Sequence, residues 1–217
     1  MAARSGKSLP GPQRPEVAQP REGCGLAWRK YAEPFDSTDL WRTHVNKPFN
    51  YDNVRNYTLD EDAARQLIEA QNECTFSWST KDGWPVGVIM SYVYADGCFW
   101  LSVSSLRVRV AAVLRDPRVS ISITSKGVDV PAGRSLTYKG ICEVLSDRAT
   151  IDWFLPALGR RLRGDHPEAV QLFVQLNDTP NRRVLKVTPG KRIGYDGQKM
   201  RKATTDAVAQ GRQIGPD

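Results

Sequence analysis

Two Asp-Gly pairs decide most of what this chain can fold into. Asp82-Gly83 and Asp96-Gly97 each separate runs of alternating apolar and polar residues, and Asp-Gly at such a junction is a strong short-range hairpin signal. CTFSWST (74–80) leads into the first pair, WPVGVIMSYVYADG (84–97) runs to the second, and CFWLSVS (98–104) returns. Three strands joined by tight turns form an antiparallel meander. A parallel βαβ sheet is excluded, because its crossovers need a dozen residues or more.

The flanking elements fit that frame. Thr58-Leu59-Asp60-Glu61 has the capping-box pattern, and Ala63, Ala64, Leu67 and Ile68 then mark one face of a helix over 58–71. A short helix is predicted over 105–114, stopped by Arg115-Asp116-Pro117. Strands follow at 119–125 and 135–146, then helices at 147–162 and 167–176. A last strand, interrupted at Pro189, is expected over 182–189 and 192–196. The fold class is mainly β (α+β): a small antiparallel barrel with inserted helices, since closure removes the sheet edges.

Composition sets the boundaries. Residues 1–27 read as a disordered tail, because the first 23 hold four prolines and no aromatic. Residues 28–57 read as an extended arm anchored by Trp28, Tyr31, Phe35, Trp41, Phe49 and Tyr51. The folded domain is placed at 58–197, and 198–217 is expected to be a polar tail. No apolar run approaches a membrane span, the N-terminus lacks a secretory h-region, and four dispersed cysteines argue against a zinc module or disulfide scaffold. A soluble cytoplasmic protein is expected.

The formal charge of +7 is uneven. Residues 101–140 carry seven basic against two acidic groups, and 171–217 carry nine against four, whereas 61–100 carry two against six. Such basic surfaces suit nucleic acid, acidic headgroups or a phosphorylated ligand. The sequence offers little for conventional catalysis. Gly6-Lys7-Ser8 lacks the earlier P-loop glycine, Gly23-x-Gly25 lacks the third glycine of a dinucleotide fingerprint, and no G-x-S-x-G elbow occurs. The two histidines, His44 and His166, read as surface residues, and no metal site is predicted. Trp78, Trp84, Trp100 and Trp153 read foremost as core residues.

One stretch stands out chemically. In Ser104-Ser105-Leu106-Arg107-Val108-Arg109 the serines lie where a strand becomes a helix, so Ser104 or Ser105 is expected to cap it. Arg107 and Arg109 then occupy the first turn, where the helix dipole disfavours cations. A bound phosphate would reverse that balance. On local physics alone, an anion site and a solvated arginine pair are equally well supported.

The order of these elements resembles the pyridoxamine 5′-phosphate oxidase-like, FMN-binding split-barrel family. The likeness spans about 58–196. It rests on Trp84-Pro85 opening a strand, the Phe99-Trp100 hairpin return and the serine-rich turn. Its most specific part is the block from Arg109 through Leu114-Arg115-Asp116-Pro117-Arg118-Val119. General-stress-type members look closest, with Gly194-Tyr195-Asp196 echoing their last strand.

The resemblance implies a split β-barrel homodimer with FMN bound at the interface. It places Arg109 at the family's phosphate-binding lysine, Arg107 where serine is common, and Ser104 and Ser105 in the Ser/Thr-rich turn. It also places Val88, Ile89 and Met90 on the strand whose backbone lines the flavin ring. It implies hydride transfer between a reduced nicotinamide and a small organic acceptor, with coenzyme F420 as the alternative cofactor because Arg107 leaves room for a longer anionic tail. Haem is the weakest option, having only His44 or His166 as familiar ligands. Pyridoxamine phosphate itself is not the expected substrate, since the C-terminal Arg-x-His pattern is missing. A non-catalytic flavin binder, or a nucleic-acid binder using Arg107, Arg109, Arg115 and Arg118, is the rival from another class. Nucleic acid is not an expected partner.

Overall fold

A computed structural model describes residues 48–215. The 1–27 tail and residues 28–47 of the arm lie outside them. Six strands, β1 (Glu73–Ser79), β2 (Pro85–Ala95), β3 (Cys98–Ser104), β4 (Arg118–Thr124), β5 (Arg134–Leu145) and β6 (Arg182–Asp196), close into one barrel in the order β1-β2-β3-β6-β5-β4. Every pairing is antiparallel. The α-helices among the described residues are α1 (Glu61–Ala70), α2 (Val108–Arg115), α3 (Arg148–Arg163), α4 (Pro167–Asn177) and α5 (Gly197–Ala209), and a short 3-10 turn, Val54–Asn56, precedes them.

The turn chemistry acts as the sequence suggests. Asp96 and Gly97 both have positive φ, 52° and 73°, which gives the primed two-residue turn whose twist matches its strands. The β1–β2 loop is wider. There Thr80 holds Trp84 from both sides, its N–H donating to the Trp84 carbonyl at 2.8 Å and its hydroxyl accepting from the Trp84 N–H at 2.9 Å.

Alternation sorts the strands into an inside and an outside. Phe76, Tyr92, Phe99, Leu101, Ile121, Leu136 and Leu185 fill the barrel together with Val110 and Val113 of α2. Strand β3 loses its alternation because it is covered on both faces. Cys98 and Trp100 point outward into a second cluster with Ile151, Phe154, Leu155 and Leu158 of α3. Of the four tryptophans read as core, Trp78 and Trp100 are buried, whereas Trp84 is 69% exposed at the loop tip and Trp153 is half-exposed.

Three further expectations need correction. Thr58 and Glu61 form no capping box: Asp60 is the N-cap of α1 and makes no side-chain cap bond. Its carboxylate and the Thr58 carbonyl instead receive Lys199 Nζ of α5, at 2.7 and 2.9 Å. The last strand is unbroken. Pro189 faces Gly140 and Arg192 faces Tyr138, so β6 absorbs one extra residue as a bulge and continues. The polar stretch after residue 197 contains helix α5, with Met200 and Ala207 buried.

Asp196 ties this end together. It is almost fully buried; Oδ2 pairs with Arg134 Nε at 3.2 Å, Oδ1 accepts from the Gln198 N–H at 2.9 Å, and its own N–H donates to the Tyr57 carbonyl at 2.7 Å. The arm's last residues join in: Phe49 is buried, bridges to Ile214 and lies under the Arg212 guanidinium.

Gly140 has no room for a side chain, because a Cβ there would lie 2.6 Å from Val187 Cγ1 and 3.2 Å from the Thr188 carbonyl. Gly140→Ala is expected to cost about 1–3 kcal/mol by overpacking, read as a lower urea midpoint with an unchanged slope.

Candidate cofactor site

The barrel is split at one seam. β2 pairs with β3 only from Tyr92↔Leu101 to Ala95↔Cys98. From Ser91 and Ser102 onward the two strands part. Residues 85–91 of β2 stay paired with β1 on one side, and among the described residues no strand pairs with their other edge. Backbone donors and acceptors along that edge are open to a planar polar partner.

Val88, Ile89 and Met90 lie on this open stretch. The structure divides their side chains: Met90 is in the barrel core, Val88 packs against it, and Ile89 points outward, 64% exposed. Next to them Gly87 is closely approached: a Cβ would meet Thr75 Cγ2 at 2.9 Å and Ser77 Oγ at 3.0 Å, and those side chains would have to shift to admit it. Gly87 thus leaves a spot without a side chain on the outer face beside the exposed Ile89.

Ser104, Ser105, Arg107 and Arg109 stand at the far end of β3, where the chain turns into α2. Their capping roles differ from expectation. The helix begins at Val108 with Arg107 as N-cap, and neither serine caps it. The Ser104 hydroxyl accepts from the Leu106 N–H at 3.3 Å and its carbonyl from the Arg107 N–H at 3.0 Å, so it builds the turn before the helix. Ser105 is anchored instead to Asn181, its N–H donating to the Asn181 carbonyl at 2.8 Å.

Arg109 is the chemically distinctive residue. Its Nε is buried and has no hydrogen-bond partner, which is costly for a charged group unless something pairs with it. Burial, and then the charge of Arg107, lower the guanidinium pKa. Arg161 Nε is unpaired in the same way, but its Nη2 donates to the Ile68 and Glu69 carbonyls. Arg107 itself is exposed, flanked by Leu106 and Val108, each 78% exposed.

Sequence reasoning missed Arg182. It lies opposite Ser104 in the β3–β6 register and donates from Nη1 to Ser102 Oγ at 2.8 Å and from Nε to the Asn177 carbonyl at 2.7 Å. It therefore adds a fixed cation to the serine-lined strand end, its pKa lowered by burial against the opposing effect of Asp178. The only signal was the Asn-Arg-Arg triplet opening the last strand.

Other groups are poor candidates for chemistry. Burial raises the Cys74 thiol to about 12 and raises Cys142 as well, so neither is a ready nucleophile. His166 is an exposed N-cap residue of α4. Among the described residues no group of three His, Cys, Asp or Glu side chains could hold a metal ion. None of their helices is long and apolar enough to cross a membrane.

These features define a split-barrel protein with a partly buried arginine, its Nε unpaired, in the first turn of α2. The sequence profile of pyridoxamine 5′-phosphate oxidase matches residues 60–194, and the chain belongs to that family. Among solved structures it is similar to a conserved hypothetical protein from Mycobacterium tuberculosis. The identity is 18%, the TM-score 0.57, and the match covers 67% of this chain and 90% of that one. It is also similar to the heme storage protein HutZ from Vibrio cholerae, at 11% identity and a TM-score of 0.51 over 62% and 94%. An F420 reductase aligns at 16% identity and a TM-score of 0.46 over 59% and 94%. At these identities the likeness is one of fold. No curated protein matches the chain by sequence.

Proposed function

We propose that the chain binds FMN in the seam and works as a flavin-dependent oxidoreductase, passing hydride between a reduced nicotinamide and a small organic acceptor. The observation that carries this reading is the buried, partnerless Nε of Arg109 beside the charge of Arg107. A phosphate there would supply the missing acceptor and offset the repulsion between the arginines. The open edge of β2 from 85 to 91 offers backbone groups to a flat heterocycle, and Gly87 leaves a spot without a side chain on the adjoining outer face. The flavin ring itself accepts and donates the hydride when bound. The protein's part is to hold the phosphate with Arg109, align the ring along β2 and exclude water.

The functional unit in this reading is a homodimer. Leu106, Val108 and Trp84 expose apolar surface around the seam, and patches of this kind mark interfaces. Light scattering at micromolar concentration is expected to give about twice the 24.3 kDa chain mass; a single-chain mass would count against it.

Coenzyme F420 is the second reading, favoured by Arg107. An exposed second cation at the helix start suits a longer anionic tail than one phosphate. Titration with both cofactors at two salt concentrations tests this. Arg107→Ala is expected to weaken F420 binding more than FMN binding, and equal losses would remove the reason for preferring F420. Pure nucleic-acid binding predicts instead a steep salt dependence with no cofactor uptake.

A further inference from the structure

The chain before residue 60 and after residue 194 lies beyond the match to the family profile, and these two segments meet in a groove of about 420 Å³. Every residue lining it comes from 48–57 or 203–212. One wall is the entering chain at Phe49 and Tyr57, both buried. The other is α5, where Ala203 and Ala207 stand about one turn apart. At those two positions α5 contributes only methyl groups, which leaves room for a large side chain. Polar groups are at hand, since Asn56, Asp206 and Gln210 line the same groove. Apolar side chains also stand exposed in both segments, Tyr51 and Val54 in the first, Val208 and Ile214 in the second. Clustered apolar surface of this kind marks a place where something docks.

The entry of the chain points to the occupant. Pro48, the first described residue, lines the groove, and 47 residues precede it. The Phe49 N–H donates to the Gln213 carbonyl at 2.7 Å and the Gly215 N–H to the Phe49 carbonyl at 3.2 Å, a parallel bridge to Ile214. Two chains in a parallel pair run the same way. A chain continued upstream along this bridge therefore heads for Arg212 and the C-terminal turn of α5. Trp41 is the nearest large aromatic in that direction, seven residues before Pro48, a span of at most about 25 Å. Arg42 and Lys47 suit the groove poorly, because the Arg212 guanidinium already stands in its wall, over the Phe49 ring. Val45 is too small to fill it. An indole matches both the apolar floor and the polar rim, since a buried tryptophan N–H needs an acceptor.

We propose that this groove is the seat of Trp41 of the same chain, so that residues 41–47 are latched against α5. The inference does not rest on the cofactor reading and can stand if that reading falls.

The test uses the full chain labelled with 5-fluorotryptophan, the Trp41 fluorine resonance being assigned by its loss in Trp41→Phe. Its shift between light and heavy water is expected to resemble that of the buried Trp78 and not that of the exposed Trp84. Ala203→Glu is expected to move it to the exposed value, because the longer charged side chain takes the room of the indole. A second variant reads the same contact from the other side. In Trp41→Ala the exchange of the Gln210 N–H, which is bonded to the Asp206 carbonyl at 3.0 Å, is expected to quicken about tenfold or more, and in Trp41→Phe by less. A Trp41 as exposed as Trp84 in the parent would overturn the proposal, as would unchanged exchange in Trp41→Ala. So would a Trp41 that stays shielded in a folded Ala203→Glu protein, which would seat the indole elsewhere. Shielding that disappears on dilution would also overturn it, by placing the indole in the groove of a second copy.

Discussion

Arg109→Ala is expected to weaken FMN binding by about ten- to a hundredfold, the usual cost of one charge-assisted contact, while the protein stays folded. The reasoning runs through burial. In the protein without ligand, the Arg109 guanidinium has a buried Nε with no acceptor and a second arginine two residues away. In the proposed reading this unpaired group costs the fold some stability, which a bound phosphate would recover. Alanine removes that cost together with the function, so the ligand-free variant should melt no lower than the parent. Arg109→Lys should recover most of the affinity, because a lysine can serve a phosphate as a point charge. Cofactor titration and thermal melts, run together on the three proteins, read both effects. A variant that loses stability but keeps FMN affinity would make Arg109 a structural residue.

The largest stability effect is expected at Asp196. Asp196→Ala removes the partner of Arg134, whose side chain is itself only 14% exposed, and the cap on the first turn of α5. Breaking one half of a buried ion pair typically costs about 3–5 kcal/mol, which for a domain of this size lowers Tm by about 10 °C. Asp196→Asn keeps one acceptor for the Gln198 and Lys199 N–H groups and should lose less. The side-chain contacts at stake join β5, β6 and α5, so amide exchange should rise first in α5. An alanine variant within a degree or two of the parent would show that the hub is redundant.

The meander was readable because its signals are local. Asp96-Gly97 both take positive φ as that dipeptide suggests, and the alternation in β1 and β4 survives as an inside and an outside. What the sequence hid depends on distant chain. α5 looked like a polar tail because only Met200 and Ala207 are buried on it, and its start is fixed by Asp196 and Lys199 reaching other elements. The capping box failed for the same reason, since Asp60 and Thr58 serve Lys199. Pro189 looked like a strand end because a bulge cannot be told from a break without its partner, here Gly140.

The candidate site was legible in outline. Arg107 and Arg109 drew attention by sitting where a helix start disfavours cations. The structure changes Arg107 into the N-cap and gives Arg109 the more telling environment. Val88, Ile89 and Met90 mattered in the sequence as one strand. What the structure adds is that they lie on an unpaired edge, which no local pattern could reveal because it depends on where β3 stops pairing. Arg182 was invisible for the same reason: it reaches Ser102 and faces Ser104 across strands 80 residues apart in sequence.

The central claim is that the seam holds a flavin-type cofactor by its phosphate. The most direct measurement is the visible absorption spectrum of the purified full-length protein, before and after titration with FMN and with coenzyme F420, with mass identification of whatever heat releases. A flavin or deazaflavin spectrum, with about one cofactor per chain and retention lost in Arg109→Ala, is the predicted result. A colourless protein that takes up neither cofactor, or one whose spectrum is that of haem, would contradict it.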